Sequence, residues 1–63
     1  MLTQERFNTI LNLLEEKGAV TVQELSEVLG TSESTVRRDL NTLNEQGKLE
    51  KVHGGATLKK KRT

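Results

Sequence analysis

Only three residues, Gly30-Thr31-Ser32, stand between two stretches of helical periodicity, and a gap that short forces the chain to turn sharply. Before the gap, Thr21 is followed three residues later by Glu24. That spacing is a capping-box signature, in which hydroxyl and carboxylate each satisfy a free backbone N–H, with Val20 and Leu25 at the positions of a hydrophobic staple. The pattern predicts a helix over about Val22 to Leu29, with Leu25, Val28 and Leu29 facing inward and Gly30 ending it. After the gap, Ser32 is an N-cap and the helix runs to about Gln46, its apolar stripe made of Val36, Leu40 and Leu43 and its end marked by Gly47.

A further helix precedes this pair. From about Thr3 to Lys17, Phe7, Ile10, Leu11 and Leu14 follow the i, i+3, i+4, i+7 spacing of one helical face. Gly18 caps it, and Lys17 suits the negative end of its dipole. Beyond Gly47, Lys48 to Val52 and Ala56 to Leu58 read as two short strands around His53-Gly54-Gly55, whose glycines permit the positive φ of a tight hairpin. The expected fold is mainly α: a three-helix winged helix-turn-helix with a small C-terminal β-hairpin over residues 1–58. Residues 59–63 are expected to form a basic linker or tail. A helical hairpin with no role in nucleic-acid binding satisfies the inter-helix spacing too, so the turn by itself does not decide function.

Composition narrows the classes. A domain of 63 residues buries roughly 60% of the surface its unfolded chain exposes, and small folds often need a staple. This one has no Cys and a single His, which excludes a disulfide and a structural zinc site, so one aliphatic core must carry its stability. No metal or cofactor is expected, and Gly54-Gly55 lacks the strand-to-helix context of a phosphate loop. Without a carboxylate pair in a plausible pocket, an enzyme is not expected either. No apolar run reaches membrane-spanning length and the N-terminus lacks the pattern of a signal peptide, so a cytoplasmic protein with no membrane partner is expected. The net charge of +1 hides an asymmetry: residues 1–30 carry −3 and residues 31–63 carry +4. Such a chain can present a basic face to a polyanion, although Lys59, Lys60, Lys61 and Arg62 alone supply the excess.

With Val36, Leu40 and Leu43 inward, an advance of about 100° per residue turns Ser34, Arg38, Asn41 and Glu45 outward and sets Thr35 and Arg37 on the flanks. In a helix-turn-helix the N-terminal residues of the second helix reach base edges, and Arg offers a fork for guanine O6 and N7. Ser34, Thr35, Arg37, Arg38 and Asn41 are therefore the candidate contacts to double-stranded DNA. Exposed arginines on a helix are more often a plain solvated face; their place in the first two turns after a tight turn favours DNA. Asp39 would repel phosphate and is expected to pair with the first helix, with Arg6 a possible partner. The alternative is a winged helix used as a protein–protein interaction module. That reading calls for an exposed apolar patch on the third helix, where this chain has polar residues. Phe7, the single aromatic, is expected in the core, which leaves no platform for stacking RNA bases.

Arg6, Ile10 and Leu14, then Thr35-Val36-Arg37-Arg38-Asp39-Leu40, then Gly47, Leu49 and His53-Gly54-Gly55-Ala56 resemble the N-terminal domain of DeoR-type bacterial repressors over about residues 4 to 58. The resemblance implies a winged fold, operator binding and usually repression of sugar or nucleoside catabolism genes. It also makes the hairpin a wing that approaches the DNA backbone, with His53, Gly54, Gly55 and Lys51 as phosphate contacts; from the residues alone, a plain turn with a solvated histidine is the simpler reading. Two departures stand out. Lys51, a point charge, takes a place where the family often has Arg. Family members also continue into a larger domain that senses a phosphorylated sugar or related metabolite, and here the sequence stops at Thr63. The isolated domain is expected to be monomeric, with a homo-oligomeric parent placing two reading helices on half-sites about 34–36 Å or a multiple apart.

Overall fold

The computed structural model describes residues 2–59 and contains three helices and three strands in the order α1 (Thr3–Lys17), β1 (Ala19–Thr21), α2 (Val22–Leu29), α3 (Glu33–Glu45), β2 (Glu50–Val52) and β3 (Gly55–Thr57). The residues named above as a basic tail, other than Lys59, lie outside the described part. The core unites Ile10 and Leu14 of α1, Val22, Leu25 and Leu29 of α2, and Val36, Leu40 and Leu43 of α3 with Val20, Leu49 and Ala56 from the sheet side. Each fully buried leucine or isoleucine contributes about 1.5–3 kcal/mol, which is how a chain without staples holds together. Phe7, expected in the core, is only half-buried and packs against it together with Leu11 and Leu13.

The predicted helix ends are set by the predicted groups. Thr21 Oγ1 accepts from the Glu24 N–H at 3.0 Å, and the Glu24 carboxylate accepts from the Thr21 N–H at 3.5 Å. Ser32 Oγ caps α3 by accepting from the Thr35 N–H at 3.3 Å. Ser26 then holds the turn between the two helices: its hydroxyl donates to the Thr31 carbonyl at 2.5 Å, while its own carbonyl accepts from the Thr31 N–H at 3.2 Å.

Two further expectations need correction. Val28 is 51% exposed, and Val22 takes the inward place instead. Val22, Leu25 and Leu29 share one stripe, from which Val28 lies about a quarter of a turn away at 100° per residue. Leu58, expected in the second wing strand, lies just past β3 and is 41% exposed.

The sheet has a strand that the spacing of apolar residues did not announce. Ala19–Thr21 pairs antiparallel with β3, which puts β3 in the centre of the order β1-β3-β2. Val20 lies opposite Ala56, both buried, and Lys51 flanks Ala56 from the other side. Leu49, buried just before β2, and Val52, partly exposed on it, are three apart because they belong to different environments.

Candidate nucleic-acid interface

The third helix is held by its inner face and by one flank. On that flank Asp39 is 3% exposed, and Arg6 of α1 donates to it from Nε to Oδ2 at 2.7 Å and from Nη2 to Oδ1 at 3.3 Å. These hydrogen bonds raise the Arg6 guanidinium above its ordinary range, with the Asp39 charge adding to the effect against partial desolvation. The pair buries the carboxylate that directly follows Arg37 and Arg38 in the chain and keeps it off the outward face of α3. It also locks α3 against α1.

The outward face is the one the spacing predicted. Ser34, Arg38 and Asn41 are exposed, Thr35 is half-buried, and Arg37 is exposed on the flank. Arg37 Nη2 sits 3.4 Å from the Glu33 carboxylate, an exposed i, i+4 pair. Contacts of that kind are worth little and are readily exchanged for a better anion. Among the described residues Arg38 forms no ion pair, and its backbone carbonyl is tied by the Thr42 hydroxyl at 3.1 Å. Thr35 is less free than the sequence implied, since its hydroxyl accepts from Ser32 Oγ at 3.1 Å.

The hairpin closes through His53 and Gly54. Gly54 has φ +78° and His53 a negative φ, the sign pattern of a type II turn in place of the primed turns usual in two-residue hairpins. His53, Gly54 and Lys51 are all exposed. Gly55 is different. It is buried, and a Cβ there would lie 2.1 Å from the Val20 carbonyl oxygen, so the missing side chain serves the packing of the sheet and offers no surface to DNA. Two contacts that the sequence did not reveal hold the wing: the Val22 N–H donates to the Gly54 carbonyl at 2.9 Å, and the Lys51 N–H donates to Asn44 Oδ1 at 3.1 Å. An Asn in the last turn of a helix carries no spacing signal, which is why it escaped notice.

Three helices with a tight turn before a polar, arginine-bearing third helix, and a short sheet beside it, define a winged helix-turn-helix domain of the DNA-binding type. The chain belongs to the DeoR-like helix-turn-helix domain family, whose model matches residues 6–62. It is 50% identical over 60 residues to the HTH-type transcriptional regulator GolR of Listeria innocua, a match that takes in 95% of this chain and 24% of that protein. An uncharacterized HTH-type transcriptional regulator, FruR of Bacillus subtilis, is 52% identical over 56 residues, with 89% of this chain and 22% of its own length covered. The HTH-type transcriptional regulator UlaR of Shigella sonnei is 46% identical over the same number of residues, again 89% and 22% of the two chains. The chain thus spans about a quarter of the length of these relatives. No solved structure gives a significant match. The family and the fold make this a DNA-binding helix-turn-helix domain. Among the described residues no helix is long and apolar enough to cross a membrane.

Proposed function

We propose that this domain reads a double-stranded operator in the cytoplasm, with α3 in the major groove. Arg38, at the centre of the outward face between Ser34 and Asn41, addresses a base edge; Arg37 and Thr35 on the flanks address phosphates. Lys51, His53 and Gly54 of the wing lie against the DNA backbone and position the domain without specifying sequence. Gly55 leaves the contact set because it is buried. The observation that carries this reading is the separation of charge on α3: Asp39 is buried and paired, while the adjacent Arg38 is exposed and, among the described residues, without an ion-pair partner.

The names of the relatives fit regulators of carbohydrate use, and the resemblance points to repression of sugar or nucleoside catabolism genes by a homo-oligomeric parent that responds to a phosphorylated metabolite. One domain alone binds as a monomer and weakly; two, joined in a parent, bind tightly to a pair of half-sites. A titration with duplex DNA followed by backbone amide shifts tests the placement. Shifts at Ser34 to Arg38 and at Lys51 to Gly54 are expected, weakening steeply as salt rises. Shifts confined to Lys59 and beyond would overturn it in favour of nonspecific attraction to the basic end.

A further inference from the structure

The strand that carries Lys51 sits at the edge of the sheet. In the order β1-β3-β2 it pairs, among the described residues, with β3 alone, so its outer N–H groups have no strand there to bond. One of them is taken by α3 itself: the Lys51 N–H donates to Asn44 Oδ1 at 3.1 Å. Asn44 lies seven residues after Arg37, two helical turns on, and therefore on the same flank of α3. The wing is thus held on the Arg37 side of the reading helix, opposite the side gripped by Arg6 through Asp39. Its tip is held separately, by the Val22 N–H on the Gly54 carbonyl. Anchored at two points to two helices, a three-residue strand has little freedom to swing.

We infer that Asn44 is a positioning residue for DNA binding, acting through the Lys51 backbone to fix the wing against the helix that carries Arg37 and Arg38. The inference rests on the reading of this domain as an operator binder. Asn44 is itself exposed and belongs to no part of the core, so nothing in the packing requires an amide at this place. What the amide supplies is register between two separate contact elements. Without it the Lys51 ammonium must find its phosphate from a looser strand, and binding bears the ordering cost that the hydrogen bond has removed in advance.

The test is a double-mutant cycle on this chain, Asn44→Ala with Lys51→Ala, titrated against a duplex operator at two salt concentrations, together with hydrogen exchange of the Lys51 amide in the absence of DNA. Asn44→Ala is expected to weaken binding about two- to tenfold, the range of one modest hydrogen bond. Its salt dependence should flatten toward that of Lys51→Ala, and its effect should shrink in the Lys51→Ala background. The Lys51 amide should lose protection in Asn44→Ala and keep it in Asn44→Asp, which retains the acceptor. Fully additive effects in the cycle, or unchanged Lys51 exchange in Asn44→Ala, would overturn the inference. Absence of salt-dependent binding by the unmutated chain would instead take down the operator reading, while the exchange measurement would still report on the hydrogen bond.

Discussion

Arg6 and Asp39, 33 residues apart in the chain, meet side by side, with two guanidinium nitrogens on the two carboxylate oxygens at 2.7 and 3.3 Å. The contact joins the first helix to the third at the point where the third turns its arginines outward. Its two halves are unequal. Asp39 is almost wholly buried, whereas the Arg6 side chain retains some exposure.

That inequality predicts an order of damage. Arg6→Met strands a buried carboxylate without a partner, the more damaging way to break such a pair. Asp39→Asn leaves a neutral amide that still accepts a hydrogen bond from Arg6. Thermal melting followed by circular dichroism should show Arg6→Met lowering the Tm clearly more than Asp39→Asn. Equal melting temperatures for both variants would mean that the pair contributes little to holding α3.

The two wing glycines should respond differently to an added methyl group. Gly54→Ala meets open space and suffers only the left-handed backbone, a cost of about 1–2 kcal/mol. Gly55→Ala would drive a Cβ to within 2.1 Å of a backbone oxygen on β1, so the strands themselves must part. Urea unfolding should therefore show a larger loss for Gly55→Ala, beyond the ~1–3 kcal/mol usual for overpacking, than for Gly54→Ala. The reverse order would place the strain at the tip and not between the strands.

The arginines of α3 should separate by kind of effect. Arg38→Ala is expected to cost about 1–3 kcal/mol of discrimination at one base position, and Arg37→Ala to weaken all duplexes alike and lower the salt slope by about 1. Both side chains are exposed, so neither change should lower stability by more than about 0.5 kcal/mol. Binding isotherms on a panel of single-base operator variants distinguish the two. If Arg38→Ala kept the original preference on every variant, Arg38 would be a phosphate contact or a bystander.

Much of this architecture was legible beforehand because helices announce themselves locally. The caps at Thr21 and Ser32, the stripe of Val36, Leu40 and Leu43, and the pairing of Asp39 with the first helix follow from spacings within a few residues or from the need to neutralise an acid. What escaped depends on contacts distant in the chain. Ala19-Val20-Thr21 looks like a cap and a staple until Ala56 is brought alongside it. The shortage of space at Gly55 exists only because Val20 is there. Asn44 could not be singled out until the wing strand lay within reach. Val28 was misplaced for a different reason: in an eight-residue helix an apolar residue one step off the stripe is hard to separate from one on it. The outward set on α3 was the easier part, since it needs only the helical angle and the identity of the inner face.

The central place of β3 makes the sheet the last part of the domain that the chain can complete, read from its N-terminus. Val20 emerges early, yet its strand partner Ala56 is made 36 residues later, and both edge strands depend on that same segment. A chain that ends after α3 has all three helices but no sheet to brace them. A chain cut short before β3 would therefore keep its three helices but lose at once both strand pairings and the hairpin that carries Lys51, His53 and Gly54.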